Sequence, residues 1–180
     1  METTDDSAFI GFPKIHRFAR DIIVTEKIDG TNAQVVIAED GTVRAGSRTR
    51  WITPDDDNFG FAAWVAAHQD ELRELGPGRH FGEWWGSGIQ RRYGIDVRRF
   101  SLFNTSRWGT DRPACCHVVP VLYAGPFNTV AVAECLDILR LGGSVAAPGF
   151  HKPEGVVVFH VAGNVAFKQT LEGDTAKAPK

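Results

Sequence analysis

Residues 24–37, "VTEKIDGTNAQVVI", decide how the rest of the chain is read. An apolar run that begins at Ile22 ends in Lys27, Asp29-Gly30 is a turn dipeptide, and residues 33–38 continue as a second strand. A lysine therefore stands at the lip of a tight turn, with Asp29, Gly30, Thr31 and Asn32 crowded behind it. Asp-Gly is a common turn dipeptide and lysine a common strand-edge residue, so this segment alone fits a plain turn as well as a chemical site.

Outward from it the pattern is mostly strand-like. Strands are expected at 22–27, 33–38 and 42–45, with Glu39-Asp40-Gly41 as a hairpin turn. Phe61, Trp64, Val65, His68 and Leu72 recur at helical spacing, which predicts a helix over 59–75 stopped by Gly76-Pro77-Gly78. Strands return at 79–84, 99–103 and 117–123, and a second helix over 130–141 ends at Gly142-Gly143. The clearest hairpin pairs 155–161 with 165–170 across Ala162-Gly163-Asn164. Strands and helices do not alternate, which argues against a doubly wound parallel sheet. The expected class is α+β, with largely antiparallel sheets and flanking helices.

The chain has 180 residues, enough for one domain with a real core and cramped for two. The expected division is a single domain over 1–170 and a polar tail over 171–180. A net charge of −2 lacks the footprint of a dedicated nucleic-acid binder, yet Arg91, Arg92, Arg98 and Arg99 cluster around Tyr93 and form a candidate basic patch. The other reading of that cluster is a solvated surface. Three cysteines make neither a disulfide framework nor a CxxC metal site. With no leader-like start and no run of membrane-spanning length, the expected setting is cytoplasmic, with no membrane partner.

Four charged residues interrupt apolar strand text: Lys27, Glu83 in "HFGEWWG", Glu154 at the head of "EGVVVFH", and Lys168 in "NVAFKQT". Each singly could be a strand-edge charge. Two cations and two carboxylates converging on one cleft suit a polyphosphate and the divalent ion that neutralises it.

These residues carry a resemblance. "KIDGTN" resembles the nucleophile motif of the covalent nucleotidyltransferases, the superfamily of ATP-dependent ligases and mRNA capping enzymes. "GSRTRW", "FGEWWG", "RFSLFN", "EGVVV" and "FKQT" follow in that superfamily's motif order. The wording is most similar to the RNA ligase 2 type of RNA ligase. The resemblance runs from about Phe12 to Thr170. It implies a ligase-type, ATP-grasp-like adenylyltransferase domain. It also implies an ATP-dependent RNA ligase that forms a lysyl-AMP on Lys27, with magnesium or manganese as cofactor, RNA bearing a 5′-phosphate and a 3′-hydroxyl as substrate, and RNA repair as setting. Two alternatives stay open: an adenylyltransferase that does not seal strands, and a non-catalytic nucleotide- or RNA-binding module of the same fold.

By motif order, the resemblance makes Lys168 a second catalytic lysine on the α-phosphate. Glu26, Asp29, Gly30 and Asn32 would shape or contact the nucleotide. Arg48 would pair with the AMP phosphate or the RNA 5′-phosphate, although Arg50 lies beside it. Glu83 would meet ribose or metal, Glu154 would bind metal, and Phe100 or Phe103 would stack on adenine. Free lysine titrates near 10.4, so a nucleophilic lysine needs neighbouring cations or desolvation. The family pattern has two lysines separated by one residue, whereas here Ala166 and Thr170 flank Lys168. Residues 171–180 leave little room for the accessory domain that ligases commonly carry, so a minimal version is expected, with nucleic-acid contacts from the arginine cluster or a separate protein partner.

Overall fold

A computed structural model describes residues 9–173 of the protein; the polar stretch 1–7 and most of the expected tail lie outside the described residues. In chain order the strands are β1 (Asp21–Lys27), β2 (Thr31–Ile37), β3 (Val43–Ser47), β4 (Trp51–Ile52), β5 (Gly78–Gly86) and β6 (Arg98–Leu102). They continue with β7 (Cys116–Val118), β8 (Val121–Pro126), β9 (Gly155–His160) and β10 (Val165–Thr170). The helices are α1 (Phe61–Ala67), α2 (Gln69–Leu72) and α3 (Thr129–Gly142). The strands build a four-stranded sheet ordered β10-β9-β1-β8 and a six-stranded sheet ordered β4-β3-β2-β5-β6-β7. Every pairing is antiparallel except β6 with β7. This is the expected α+β class.

Two local expectations change, and one turn takes a defined role. The Asp29-Gly30 turn does not close a hairpin: β1 and β2 belong to different sheets, and the dipeptide is the corner between them. Its local signal is the same in either role. The strand expected at 117–123 is two strands in two sheets. Pro120 has no N–H to continue a ladder, and the chain crosses from one sheet to the other around it. The helix expected over 59–75 breaks at His68, where the backbone leaves helical geometry and the ring nitrogen joins the His68 N–H on the Trp64 carbonyl.

Each sheet has a helix-covered face. Ala33, Val35, Ile37, Trp84 and Phe100 of the larger sheet pack on Phe61, Val65, Leu72 and Leu75. Ile22, Val24, Val156 and Val158 of the smaller one pack on Cys135, Leu136 and Leu139 of α3. Asp57 anchors the start of α1 by accepting from the N–H groups of Ala62 and Ala63. A third cluster of Ile28, Trp85, Tyr93, Val119 and Ala147 sits at both chain crossings and joins the sheets there. The expected tail boundary cuts through packed chain, because Leu171 joins the smaller sheet's core and Glu172 pairs with Arg91.

The corner leaves no room for a side chain. A Cβ on Gly30 would collide with the Trp84 carbonyl oxygen and lie 2.7 Å from Trp85 Cβ. Gly30→Ala is therefore expected to lower stability by about 1–3 kcal/mol in urea denaturation, as overpacking against backbone does. An unchanged midpoint would mean that the corner is looser than described.

Candidate functional site

The faces of the two sheets not covered by helices look at each other across a cleft of about 920 Å³. On the smaller sheet, register decides what faces it. Lys27 lies opposite Gly155, which lies opposite Thr170; in the next row come Thr25, Val157 and Lys168; then Ile23, Phe159 and Ala166. Directly opposed residues share a face, so Lys27, Lys168, Thr170 and Ala166 share the cleft side. Gly155 permits close pairing here: a Cβ on it would collide with the Gln169 carbonyl oxygen.

Lys27 Nζ donates to Glu154 Oε2 at 2.7 Å, a half-buried pair at the end of its row. Facing it, the corner is held at every residue. The Asp29 N–H donates to the Tyr93 hydroxyl at 2.7 Å, and Asp29 Oδ2 accepts from Arg91 Nε at 2.9 Å. The Gly30 N–H donates to Glu83 Oε1 and Asn32 Nδ2 to Glu83 Oε2, both at 3.0 Å. Asn58 Nδ2 donates to Thr31 Oγ1. Asn32 and Glu83 are direct partners across β2 and β5, which puts both on the cleft face.

Burial pushes the Glu83 carboxyl up to about 7, against the pull of the Lys27 ammonium and the two donors at the corner. Glu26 is different. It is buried, faces away from Lys27, and accepts from Ser144 Oγ at 2.6 Å and from the Val145 and Ala146 N–H groups at 2.8 Å. Its burial also raises the carboxyl, and these three donors oppose the shift. Only its backbone edges the cleft, so Glu26 ties β1 to the loop after α3 and its side chain is not a nucleotide contact.

The two candidate aromatics separate. Phe100 is 0% exposed and packs on Phe61 and Trp64 behind the larger sheet, so it cannot stack on a ligand; Phe103 is 41% exposed and lines the cleft. Arg48 also lines the cleft, while Arg50 turns to Asp56. The expected basic patch is in part turned inward, with Arg92 and Arg98 exposed. Arg91 bonds Asp29, the Lys152 carbonyl and Glu172; Arg98 bonds the Ser87 and Phe59 carbonyls; Arg99 bonds the Ala146 carbonyl. Irregular backbone between β5 and β6 and around the cleft leaves carbonyls in need of donors, and these guanidiniums supply them. Arg92 remains exposed, at a left-handed φ of 61°.

Tyr93 is a site residue that sequence reasoning missed. A tyrosine inside an arginine-rich run carries no signal that its hydroxyl will meet the backbone of the corner. Among the described residues no three His, Cys, Asp or Glu side chains gather to hold a metal. The donor set fits the other mode of magnesium or manganese binding, in which one or two carboxylates hold an ion that is otherwise ligated by substrate phosphate and water. Glu154 is the better placed, because both Glu83 oxygens already accept bonds at the corner.

Glu83 makes a pH prediction. Its carboxyl is raised from 4.5 to about 7, so the neutral acid is the form the fold favours. That contribution is full below pH 4.5 and is lost as pH rises through about 7. Relative to Glu83→Gln, the wild type should lose up to about 3 kcal/mol between acid and mildly alkaline solution, read by urea denaturation at several pH values. A difference that stays flat with pH would mean that the Glu83 carboxyl titrates alike in the folded and the unfolded chain.

The family model described as RNA ligase matches residues 20–175. Among solved structures, a lysine-to-alanine variant of Naegleria gruberi RNA ligase with ATP and Mn is 20% identical with a TM-score of 0.62, covering 83% of this chain and 48% of that one. A glutamate-to-alanine variant of that ligase with AMP and Mn gives 20%, 0.62, 83% and 49%, and an apo aspartate-to-alanine variant gives 22%, 0.62, 83% and 49%. At such identities the likeness shows a shared fold, and the chain spans about half the length of those ligases. Comparison with curated proteins gave no match. The family model spans both sheets, the corner and the cleft between them, and this chain belongs to the RNA ligase family.

Proposed function

We propose that this protein is an ATP-dependent RNA ligase whose nucleophile is Lys27. The observation that carries the proposal is the Lys27–Glu154 pair on the cleft floor, with Glu83 and Asn32 held opposite by the corner. The neutral Lys27 amine attacks the α-phosphorus of ATP, a nitrogen–phosphorus bond forms, the bond to the bridging oxygen breaks, and pyrophosphate leaves. Glu154, in hydrogen-bond contact with the amine, is placed to receive its proton. Lys168 and Arg48 balance charge on the phosphates, and Phe103 stacks on adenine with Val157 on the opposite wall. A bound magnesium or manganese ion would neutralise phosphate charge in the cleft.

In the next step an RNA 5′-phosphate oxygen attacks the same phosphorus, frees Lys27 and yields a 5′-adenylylated end. A 3′-hydroxyl then attacks the 5′-phosphate and AMP departs. A second reading, an adenylyltransferase that stops before sealing, is favoured by one observation: Ala166 and Thr170, the cleft-facing neighbours of Lys168, carry no charge.

Incubation with ATP labelled at the α-phosphate and magnesium, followed by a denaturing gel, tests the first step. The wild type should carry covalent label and Lys27→Ala none, while label retained in Lys27→Ala would remove Lys27 as nucleophile. Adding RNA with a 5′-phosphate and a 3′-hydroxyl then separates sealing from adenylylation alone.

A further inference from the structure

The cleft face of the larger sheet does not stop at the nucleotide site. Running away from Asn32 and Glu83 along β2 and β5, the next row across the sheet is Trp51, Gly46, Gln34 and Phe81; the row beyond is Arg44, Val36 and Arg79. These residues share one face, with rows about 6.5–7 Å apart along the strands. Phe81 is 52% exposed and Trp51 is 41% exposed, so both present part of a large aromatic surface to solvent. The Arg44 guanidinium carbon sits 3.9 Å from the Trp51 ring centroid and that of Arg79 sits 5.5 Å away. Arg79 also donates to Gln34. The Gln34 side chain lies over Gly46, where a Cβ would press on Gln34 Cγ at 2.8 Å.

Edge strand β4 needs some cover, and one tryptophan under one arginine would supply it. That requirement does not account for two arginines flanking the ring, for exposed Phe81 in the same row, or for continuity with Arg48 and the cleft. No acidic side chain stands in either outer row. An aromatic and arginine surface free of acids suits a strand that offers base faces and phosphates together.

We infer that this face is a binding platform for single-stranded RNA, with bases stacking on Trp51 and Phe81 and phosphates meeting Arg44 and Arg79. The inference rests on the proposed ligase reading and adds to it the path by which an unpaired strand approaches the cleft. It is separate from the arginine run at 91–99, where Arg91, Arg98 and Arg99 bond within the fold.

Binding of a labelled oligouridylate, which has no internal pairing, is measured by anisotropy across a salt series. Trp51 and Arg44 lie outside the cleft lining, which makes them the positions to change. Trp51→Ala should weaken binding about 5- to 100-fold, as loss of one stacked base does, and Trp51→Phe should restore most of it. Arg44→Gln should reduce the slope of log affinity against log salt by about 0.7. Thermal melts of each variant confirm that it is folded.

Unchanged affinity in both Trp51→Ala and Arg44→Gln would overturn the platform, as would equal, Trp51-dependent binding of a blunt RNA duplex. The AMP labelling assay keeps the two proposals apart. Label on Lys27 with RNA binding indifferent to Trp51 sinks the platform alone. Trp51-dependent RNA binding without label sinks the ligase reading and leaves the platform.

Discussion

Gly30 passes so close to the Trp84 carbonyl that no side chain fits, and in that passage its N–H reaches the buried Glu83 carboxyl. This contact sets where the two sheets meet. Lys27 ends a strand of one sheet and Asn32 begins the next strand in the other, so the corner between them places a cation and a carboxylate on facing walls. The Tyr93 hydroxyl, Arg91 and Asn58 hold the remaining residues of the corner. A site assembled on a corner fixed by backbone bonds needs little reorganisation when charge develops in it.

The charges of the protein divide between two tasks. Glu26 and Arg91, Arg98 and Arg99 satisfy backbone groups in irregular segments, where an unpaired N–H or carbonyl would be costly. Lys27, Glu154, Arg48 and Lys168 face the cleft. Glu83 belongs to both groups, since it accepts a bond from the Gly30 N–H while facing Lys27, and burial raises its carboxyl against both of those contacts. Aromatic side chains divide in the same way: Phe100 and Trp84 fill the core, whereas Phe103 and Phe81 remain available to a ligand.

Much was legible in the chain itself. The hairpin of β9 and β10 follows from alternation around Ala162-Gly163-Asn164, and its register then places Lys168 and its neutral neighbours. The motif order singled out Lys27, Glu83 and Glu154, which the structure brings to one end of the cleft. The internal bonds of Arg91, Arg98 and Arg99 were not legible, because clustering in sequence says nothing about which carbonyls will need donors. Phe100 and Phe103 could not be told apart because three positions along an extended chain reverse the face, and which face is inward depends on pairing between β5 and β6.

The sequence by itself determined the class of fold, the nucleophile candidate and the family, because these rest on local alternation and on residue types in a fixed order. Tertiary structure alone decided that Asp29-Gly30 joins two sheets, that Glu26 points into the core, and that Trp51, Phe81, Arg44 and Arg79 form one surface. The reason is physical: a turn dipeptide bends the chain equally well within a sheet or between sheets. Which face of a strand meets solvent is set by register with partners far away along the chain.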